Sequence, residues 1–329
     1  MTPESTKTGA IMLPVEAPRM PGAADRIPTT RGPGRTWNLV RLTRPRQWGK
    51  NLLVLAAPVA AGVLHRPGEL TAASVAFVAF TLAGAGVYCV NDVRDAPVDR
   101  IHPAKHRRPV AAGEVSARAA TTLGIVLGVG GVAVSALLAE PALVAIVGGY
   151  VALTTAYTFL LKRFAFLDIM AIAAGFVLRL VAGAVAVSVP VSTWFLIVGS
   201  FGSLLMVSGK RFGEQVRLGP DALAVRRSLA VYSRSYLLSL RTVFVAGTVI
   251  AYVLWAFEKG SLAAGGFPFF ELSIVPFAIG VLRYGMLVEQ GRAVEPEEVV
   301  LGDRGLQAAG ALWLALVVLG VYILHPPMT

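Results

Sequence analysis

Acidic side chains recur at a regular spacing directly after a long apolar run. The run ends at Val90, and Asp92, Asp95 and Asp99 follow it. On a helix, positions i, i+3 and i+7 share one face, so the three carboxylates point to one side. Carboxylates so close together repel one another unless a cation lies between them, and Mg²⁺ prefers oxygen ligands shared with substrate phosphates. The spacing predicts a magnesium site, and its expected ligands are Asn91, Asp92, Asp95 and Asp99.

Pro97 interrupts this acidic segment. Proline has no N–H to continue a helix, and its ring clashes with the carbonyl of the residue four positions earlier, here Val93. We therefore expect the helix to end before Pro97 and Asp99 to come from a kink or a loop.

A basic segment follows the acids and extends to position 118. Basic side chains are the usual protein partners of phosphate oxygens. Metal-binding acids beside phosphate-binding bases indicate a diphosphate site at a membrane surface. The segment contains Arg100, Lys105, His106, Arg107, Arg108 and Arg118.

The composition is that of a membrane protein. The chain has 329 residues, of which 55% are hydrophobic and 15% charged, and its mean hydropathy is +0.67. A soluble domain needs more charge than this to cover its surface. The net charge of +11 does not indicate nucleic acid, because the basic residues lie between apolar runs. Cys89 is the only cysteine, which excludes an intrachain disulfide and a thiolate metal site.

Apolar runs predict an all-α bundle of nine transmembrane helices. The first is the weakest, because Pro58 breaks it. The predicted spans are 51–64, 70–90, 119–138, 142–161, 166–187, 191–208, 236–257, 269–288 and 306–324.

The distribution of basic residues predicts the orientation. Alternate loops, together with the N-terminal segment, carry 27 of the 30 Lys and Arg residues. Cytoplasmic loops are enriched in Lys and Arg, so we expect a cytoplasmic N-terminus, an external C-terminus and a site facing the cytoplasm from the plasma (inner) membrane. Residues 1–34 are rich in Pro, Gly, Thr and Arg and predict a disordered cytoplasmic tail. Residues 35–329 form the predicted nine-helix transmembrane catalytic domain.

The acidic and basic segments together closely resemble the first signature of the UbiA superfamily of intramembrane prenyltransferases. That signature reads NDxxDxxxD and then KxRPxxxGxxS, and the chain reads NDVRDAPVD and then KHRRPVAAGEVS. The resemblance implies a UbiA-like helical membrane fold and a magnesium-dependent transferase.

Two further basic positions lie at predicted helix ends. Lys50 and Asn51 open the first span and reach the acidic end if the first two spans pack together; a membrane anchor is the alternative for Lys50. Tyr157 and Lys162 resemble the short Tyr/Lys motif of the UbiA superfamily, which implies a cation over the site.

Arg179 lies within the fifth predicted span, about 16 Å deeper than Asp168 at ~1.5 Å per residue. A charge at that depth is costly, and either a functional role or a structural pair accounts for it.

The segment after the sixth span is expected to be a loop and contains Lys210, Arg211 and Glu214. Aromatic prenyltransferases of the superfamily carry a second aspartate-rich motif here, which binds a second Mg²⁺. This chain has no DxxxD at that place. Two cations with one acid favour an extra anionic group, and the number of metals, one or two, stays open.

The segments RPRQWGKN, GKRFGE and WAFE resemble one branch of the superfamily, the decaprenyl-phosphate phosphoribosyltransferases. That resemblance implies transfer of 5-phosphoribose from 5-phosphoribosyl 1-diphosphate to a polyprenyl (decaprenyl) phosphate for cell-wall arabinan precursors. It implies catalytic roles for Asp92 and Asp95, and a homo-oligomer is compatible with it. The phosphate-binding candidates, with neighbouring polar residues, are Lys50, Asn51, Arg107, Arg108, Tyr157, Lys162, Lys210, Arg211 and Glu214.

Two alternatives remain. An aromatic prenyltransferase of quinone, haem or chlorophyll synthesis fits the first signature but needs the second aspartate motif. A transporter fits the helix count but predicts internal repeats and acids near the bilayer midplane. The chain shows no repeat, and its acids gather at one predicted surface.

Overall fold

The chain is built of helices. The structure, a computed structural model, describes residues 34–102, 105–218, 231–262, 266–290 and 296–324. Every regular element in these ranges is an α-helix or a 3₁₀ helix, which confirms the predicted all-α class. The predicted tail falls outside the described residues except for Gly34 and stays a prediction.

Eight helical stretches of the described chain are long and apolar enough to cross a membrane, and they match the second to ninth predicted spans. In chain order the elements are α1 Arg35–Leu42, a 3₁₀ helix Pro45–Leu55, α2 Ala56–Ala60, α3 Pro67–Asp99, a 3₁₀ turn Lys105–Arg107, α4 Ala117–Ser135 with a 3₁₀ turn Ala136–Leu138, α5 Pro141–Phe159, a 3₁₀ turn Leu161–Arg163, α6 Leu167–Ala186, α7 Thr193–Leu218, α8 Arg234–Leu262, α9 Phe269–Leu272, α10 Ile274–Glu289, α11 Pro296–Gly302 and α12 Arg304–Leu324.

The first predicted span is not a membrane-length α-helix, so the prediction of a transmembrane α-helix at this place is wrong. The 3₁₀ helix Pro45–Leu55 has 11 residues and α2 has 5, in series. Pro58 has no N–H to donate to the carbonyl four residues earlier, which interrupts a continuous α-helical hydrogen-bond ladder. Gly183 of α6 also approaches so closely that an added Cβ would lie 1.7 Å from the Val54 carbonyl oxygen.

The 3₁₀ helix and α2 nevertheless cross the bundle from one end to the other. Arg44, before the 3₁₀ helix, contacts Asp92 near the end of α3. Gly62, after α2, lies against Val321 near the end of α12. At ~2.0 Å per 3₁₀ residue and ~1.5 Å per α residue this path spans about 30 Å, the thickness of a hydrocarbon core. A ninth crossing by this segment, beside the eight membrane-length helices of the described residues, stays a prediction, as does the orientation in a membrane.

Helix α7 is longer than expected. It continues to Leu218, so Lys210, Arg211 and Glu214 lie on its last turns and not in a loop. Arg211 explains the extension, because its fully buried guanidinium is bonded to groups on α6 and on α7 itself. Those contacts hold the end of α7 against the bundle.

Small residues bring α3 and α4 close together. A Cβ added at Gly86 would lie 2.5 Å from the Gly124 carbonyl oxygen, and one at Gly131 would lie 2.6 Å from the Ala79 carbonyl oxygen. Helix backbones at this distance gain packing contacts that larger side chains prevent. The close packing fixes α3, whose end carries the acids.

We expect Gly131→Ala to destabilise the protein by about 1–3 kcal/mol, because the new methyl group overlaps the α3 backbone. Thermal unfolding of the purified protein in detergent measures this effect. Gly130→Ala is the matched control, since no atom lies within 4 Å of a Cβ added at Gly130. An equal loss of stability in both variants would contradict the packing argument.

Candidate active site

The acids lie on one continuous helix end. Helix α3 runs through Pro97 to Asp99, so the prediction that Asp99 comes from a kink or loop is wrong. Pro97 lies in the last turn, where its missing N–H interrupts only one step of the ladder. The ladder resumes at once, because the Arg100 N–H donates to the Ala96 carbonyl at 3.1 Å. Asp92 and Asp99 are both buried.

Two arginines neutralise the buried acids. Arg108 Nη1 donates to Asp99 Oδ2 at 2.6 Å and lies 3.4 Å from Asp92 Oδ1. Arg44 Nη2 also donates to Asp92 Oδ1. Burial of an ionised carboxylate is costly unless it is paired, and these contacts supply both acids with a cationic partner inside the bundle.

Asp95 faces a different cation. Lys162, in the 3₁₀ turn after α5, donates to Asp95 Oδ1 at 2.5 Å. Asn91 donates from Nδ2 to Asp95 Oδ2 at 2.9 Å. The predicted Lys162 thus reaches the acidic end from a segment 67 residues away.

The chemistry of this helix end fits a magnesium ion. Three carboxylates and one carboxamide supply oxygen ligands, the type that Mg²⁺ prefers. Asp92 and Asp99 already converge on one cationic group, the Arg108 guanidinium. No three His, Cys, Asp or Glu side chains in the described ranges surround a common point as metal ligands do. The metal-binding roles of Asn91, Asp92, Asp95 and Asp99 stay a prediction.

A second polar cluster surrounds Arg211. Its Nε donates to Asp168 Oδ2 at 2.9 Å and its Nη1 to Glu214 Oε2 at 2.8 Å. Its Nη2 donates to the Tyr157 hydroxyl at 3.3 Å. Asp168 is fully buried as well. The predicted Tyr157, Arg211 and Glu214 therefore do lie together.

Tyr232 completes this second cluster from the segment before α8. Its hydroxyl donates to Asp168 Oδ1 at 2.9 Å and accepts from the Phe166 N–H. Burial, and secondarily the Asp168 carboxylate, raise the pKa of Tyr232 above its usual range, and the nearby Arg211 offsets part of this. The phenol therefore keeps its proton and acts as a donor at neutral pH.

The carboxyl end of α5 connects the two clusters. Tyr157, in its last turn, contacts Arg211, and Lys162, just beyond it, contacts Asp95. A shift of this helix end moves a member of each cluster, so the acidic end of α3 and the Arg211 cluster are mechanically linked.

The remaining predicted residues lie at different places. Asn51 is buried and accepts a hydrogen bond from Arg179 at 2.8 Å. Lys50 and Lys210 are half-buried. Arg107 has an exposed side chain, and its carbonyl oxygen accepts from Arg41 at 3.0 Å.

Sequence reasoning missed three residues of these clusters: Arg44, Asp168 and Tyr232. Arg44 has a left-handed backbone with φ 53°, which costs a non-glycine residue free energy and is typical of functional sites. In the sequence, the position of Arg44 before Pro45 did not indicate this left-handed backbone. Asp168 was detectable as an acid opening an apolar helix, and Tyr232 lies in a segment without any periodic pattern.

Comparison with models of known protein families shows to which family the chain belongs. A model of the UbiA prenyltransferase family matches residues 52–301, which is most of the chain. The chain belongs to the UbiA prenyltransferase family.

Relatives within the UbiA family share most of their length with this chain. Decaprenyl-phosphate phosphoribosyltransferase of Mycobacterium tuberculosis is 43% identical over 283 residues, which cover 85% of this chain and 92% of that protein. The protein of the same name from Corynebacterium glutamicum is 37% identical over 289 residues, 87% of each chain.

Solved structures show the UbiA fold. A UbiA homologue of Archaeoglobus fulgidus, bound to GPP and Mg²⁺, has a TM-score of 0.66 at 18% identity and covers 86% of this chain and 99% of that one. The same homologue has also been solved with Cd²⁺, with a TM-score of 0.61. The predicted UbiA-like membrane fold is confirmed, and the protein is a multi-pass integral membrane protein.

We expect Asp168→Ala to destabilise the protein by about 3–5 kcal/mol, because it leaves the buried Arg211 without one of its two carboxylates. Chemical or thermal unfolding in detergent measures the loss. Met170→Leu is the control on the same helix, since Met170 is exposed. An unfolding midpoint equal to that of Met170→Leu would show that Asp168 does not anchor the cluster.

Proposed function

We propose that the protein transfers 5-phosphoribose from 5-phosphoribosyl 1-diphosphate to a polyprenyl phosphate, decaprenyl phosphate in the simplest case, and releases diphosphate. The observation that carries the proposal is the acidic end of α3 surrounded by Arg44, Arg108 and Lys162. Such a site can bind a metal and several phosphates at once. The relatives named for this reaction, 37–43% identical over most of the chain, support it.

Magnesium is the proposed cofactor. When bound, Mg²⁺ neutralises the charge that develops on the leaving diphosphate. Asn91, Asp92, Asp95 and Asp99 are the proposed ligands. The cations that pair with these acids in the structure can then turn to phosphate oxygens, because a guanidinium and an ammonium donate to either group.

The reaction needs no strong general base. A phosphate monoester has a second pKa near 6 and is largely dianionic at neutral pH, so an acceptor oxygen attacks C1 without losing a proton. The new C1–O bond forms as the bond from C1 to diphosphate breaks, and diphosphate leaves with the electron pair. Asp92 or Asp95 is the proposed group that stabilises positive charge on the ribosyl carbon.

The donor's 5-phosphate and the acceptor's phosphate add two anionic groups to the diphosphate. The buried Arg211 cluster supplies a further cation where aromatic prenyltransferases of the superfamily carry a second acidic motif. The proposed phosphate-binding residues are Lys50, Asn51, Arg107, Arg108, Tyr157, Lys162, Lys210, Arg211 and Glu214.

The site is proposed to face the cytoplasm at the plasma membrane. The sequence supports this proposal, because 27 of the 30 Lys and Arg residues lie in alternate predicted loops and the N-terminal segment, and cytoplasmic loops are enriched in Lys and Arg. The 1–34 tail and the 35–329 catalytic domain are proposed to be separate, and a homo-oligomer is compatible with the fold.

A substrate-exchange assay tests the reaction. We expect the purified protein with Mg²⁺ to release diphosphate from 5-phosphoribosyl 1-diphosphate only when polyprenyl phosphate is present. Product formation from prenyl diphosphate and 4-hydroxybenzoate instead would establish the alternative, an aromatic prenyltransferase.

Removal of the acids tests the metal site. We expect Asp92→Ala and Asp95→Ala to lower Mg²⁺-dependent turnover by about a hundredfold or more, because each removes charge stabilisation of the transition state. Glu69→Ala is the matched control, since Glu69 is an acid in the first turn of the same helix, at its opposite end. Unchanged turnover in both aspartate variants removes the metal hypothesis; all variants are first shown to insert into membranes.

A further inference from the structure

Arg179 is a buried cation that the reaction described so far does not use. It lies in the interior of α6 and is 5% exposed. Its Nε donates to Asn51 Oδ1 at 2.8 Å, its Nη1 to the Gly175 carbonyl at 2.7 Å and its Nη2 to the Tyr150 hydroxyl at 2.9 Å. Ionisable groups at such depth in a membrane protein typically mark substrate paths.

The partners of Arg179 are all uncharged. They are an amide, a backbone carbonyl and a phenol, together with three aromatic rings whose centroids lie 4.6–5.7 Å from the guanidinium carbon. By contrast, Arg44, Arg108, Lys162 and Arg211 are each bonded to a carboxylate. The positive charge of Arg179 is therefore screened by dipoles and rings but not cancelled, and a guanidinium has five N–H groups for its three hydrogen bonds.

Polar side chains connect Arg179 to the acidic end of α3. Thr81 lies eleven residues before Asp92, which places the two within about 20° on one helix face. Asn51 joins them to Arg179, since it donates to the Thr81 hydroxyl at 3.1 Å and accepts from Arg179. Between these levels lies Tyr88, whose ring is 5.0 Å below the Arg44 guanidinium.

The depth of Arg179 suits the far end of a phosphorylated sugar. On α3, a Cβ added at Gly84 would lie 3.9 Å from Arg179 Nη2 and 3.4 Å from the Tyr150 hydroxyl. Gly84 precedes Asp92 by eight residues, about 12 Å along the helix axis. A ribose with a diphosphate at C1 and a phosphate at C5 carries negative charge at both ends, so its 5-phosphate can pair with Arg179. The apolar chain of a prenyl donor carries no charge that could do so.

We propose that the donor binds along this polar path, which consists of Tyr88, Thr81, Asn51, Tyr150 and Arg179, and that Arg179 binds its 5-phosphate. The inference rests on the proposed function and adds the site that distinguishes a sugar-phosphate donor from a prenyl donor. One wall of the path is the 3₁₀ helix Pro45–Leu55, which carries Asn51. Its i→i+3 hydrogen bonds have poorer geometry than the α-helical bonds of its neighbours.

The inference is tested by comparing two donors as substrates of two proteins, the unaltered protein and Arg179→Gln. The donors are 5-phosphoribosyl 1-diphosphate and ribosyl 1-diphosphate, which lacks the 5-phosphate. We expect the unaltered protein to lose about a hundredfold or more in kcat/KM on the truncated donor, as a polar site does when its ligand group is missing. Arg179→Gln is expected to lose about a hundredfold on the full donor, nearly all in donor KM, and little on the truncated donor, so that it distinguishes the two donors poorly.

Three further measurements separate this role from a structural one. KM for polyprenyl phosphate stays unchanged in Arg179→Gln, and Arg179→Lys recovers part of the donor preference because it restores the charge. Arg283→Gln is the control, since Arg283 is paired with Asp303 at 2.5 Å outside the path. If Arg179→Gln does not fold, Arg179→Met replaces it, because methionine keeps a long unbranched side chain and removes the charge.

The outcomes are distinct from those of the proposed function. Full donor discrimination in Arg179→Gln, or in Arg179→Met where that variant replaces it, overturns the inference and leaves the proposed function intact. Turnover of prenyl diphosphate but not of 5-phosphoribosyl 1-diphosphate by the unaltered protein overturns both.

Discussion

The pairing of buried carboxylates with basic side chains from distant segments is the constraint on which the rest of the structure depends. Asp92 and Asp99 are buried carboxyl groups in an apolar bundle, where an ionised carboxylate is tolerated only with a counter-charge. Arg44 approaches from before the 3₁₀ helix, Arg108 from after α3 and Lys162 from after α5. Three loops must therefore meet at one helix end, which fixes how the surrounding helices are arranged.

The same electrostatic arrangement is suited to phosphate chemistry. Groups that pair with carboxylates can also bind phosphate oxygens, so a site rich in such pairs is organised before any substrate arrives. The Arg211 cluster repeats the pattern one helix away, with Asp168 and Tyr232 holding a cation that is fully buried. Because α5 contributes to both clusters, their cations keep a defined position relative to each other.

Packing supplies the rigidity that these charges need. The small residues between α3 and α4 let the two backbones touch, and the 3₁₀ helix lies against α6 at Gly183. The helices are therefore closely packed, while the 3₁₀ helix has hydrogen bonds of poorer geometry than its neighbours. The polar path to Arg179 runs along this 3₁₀ helix.

The sequence by itself determined the membrane class, eight of the spans and the acidic helix end, because apolar length and the spacing of Asp92 and Asp95 are local patterns. It also singled out Lys162, which pairs with Asp95 at that helix end, and Arg211, which pairs with Asp168 in the second cluster. Only the tertiary structure decided which cation meets which acid, and that α3 continues through Pro97. These outcomes depend on pairing between residues far apart in the chain, and no local pattern records which buried charges will neutralise one another.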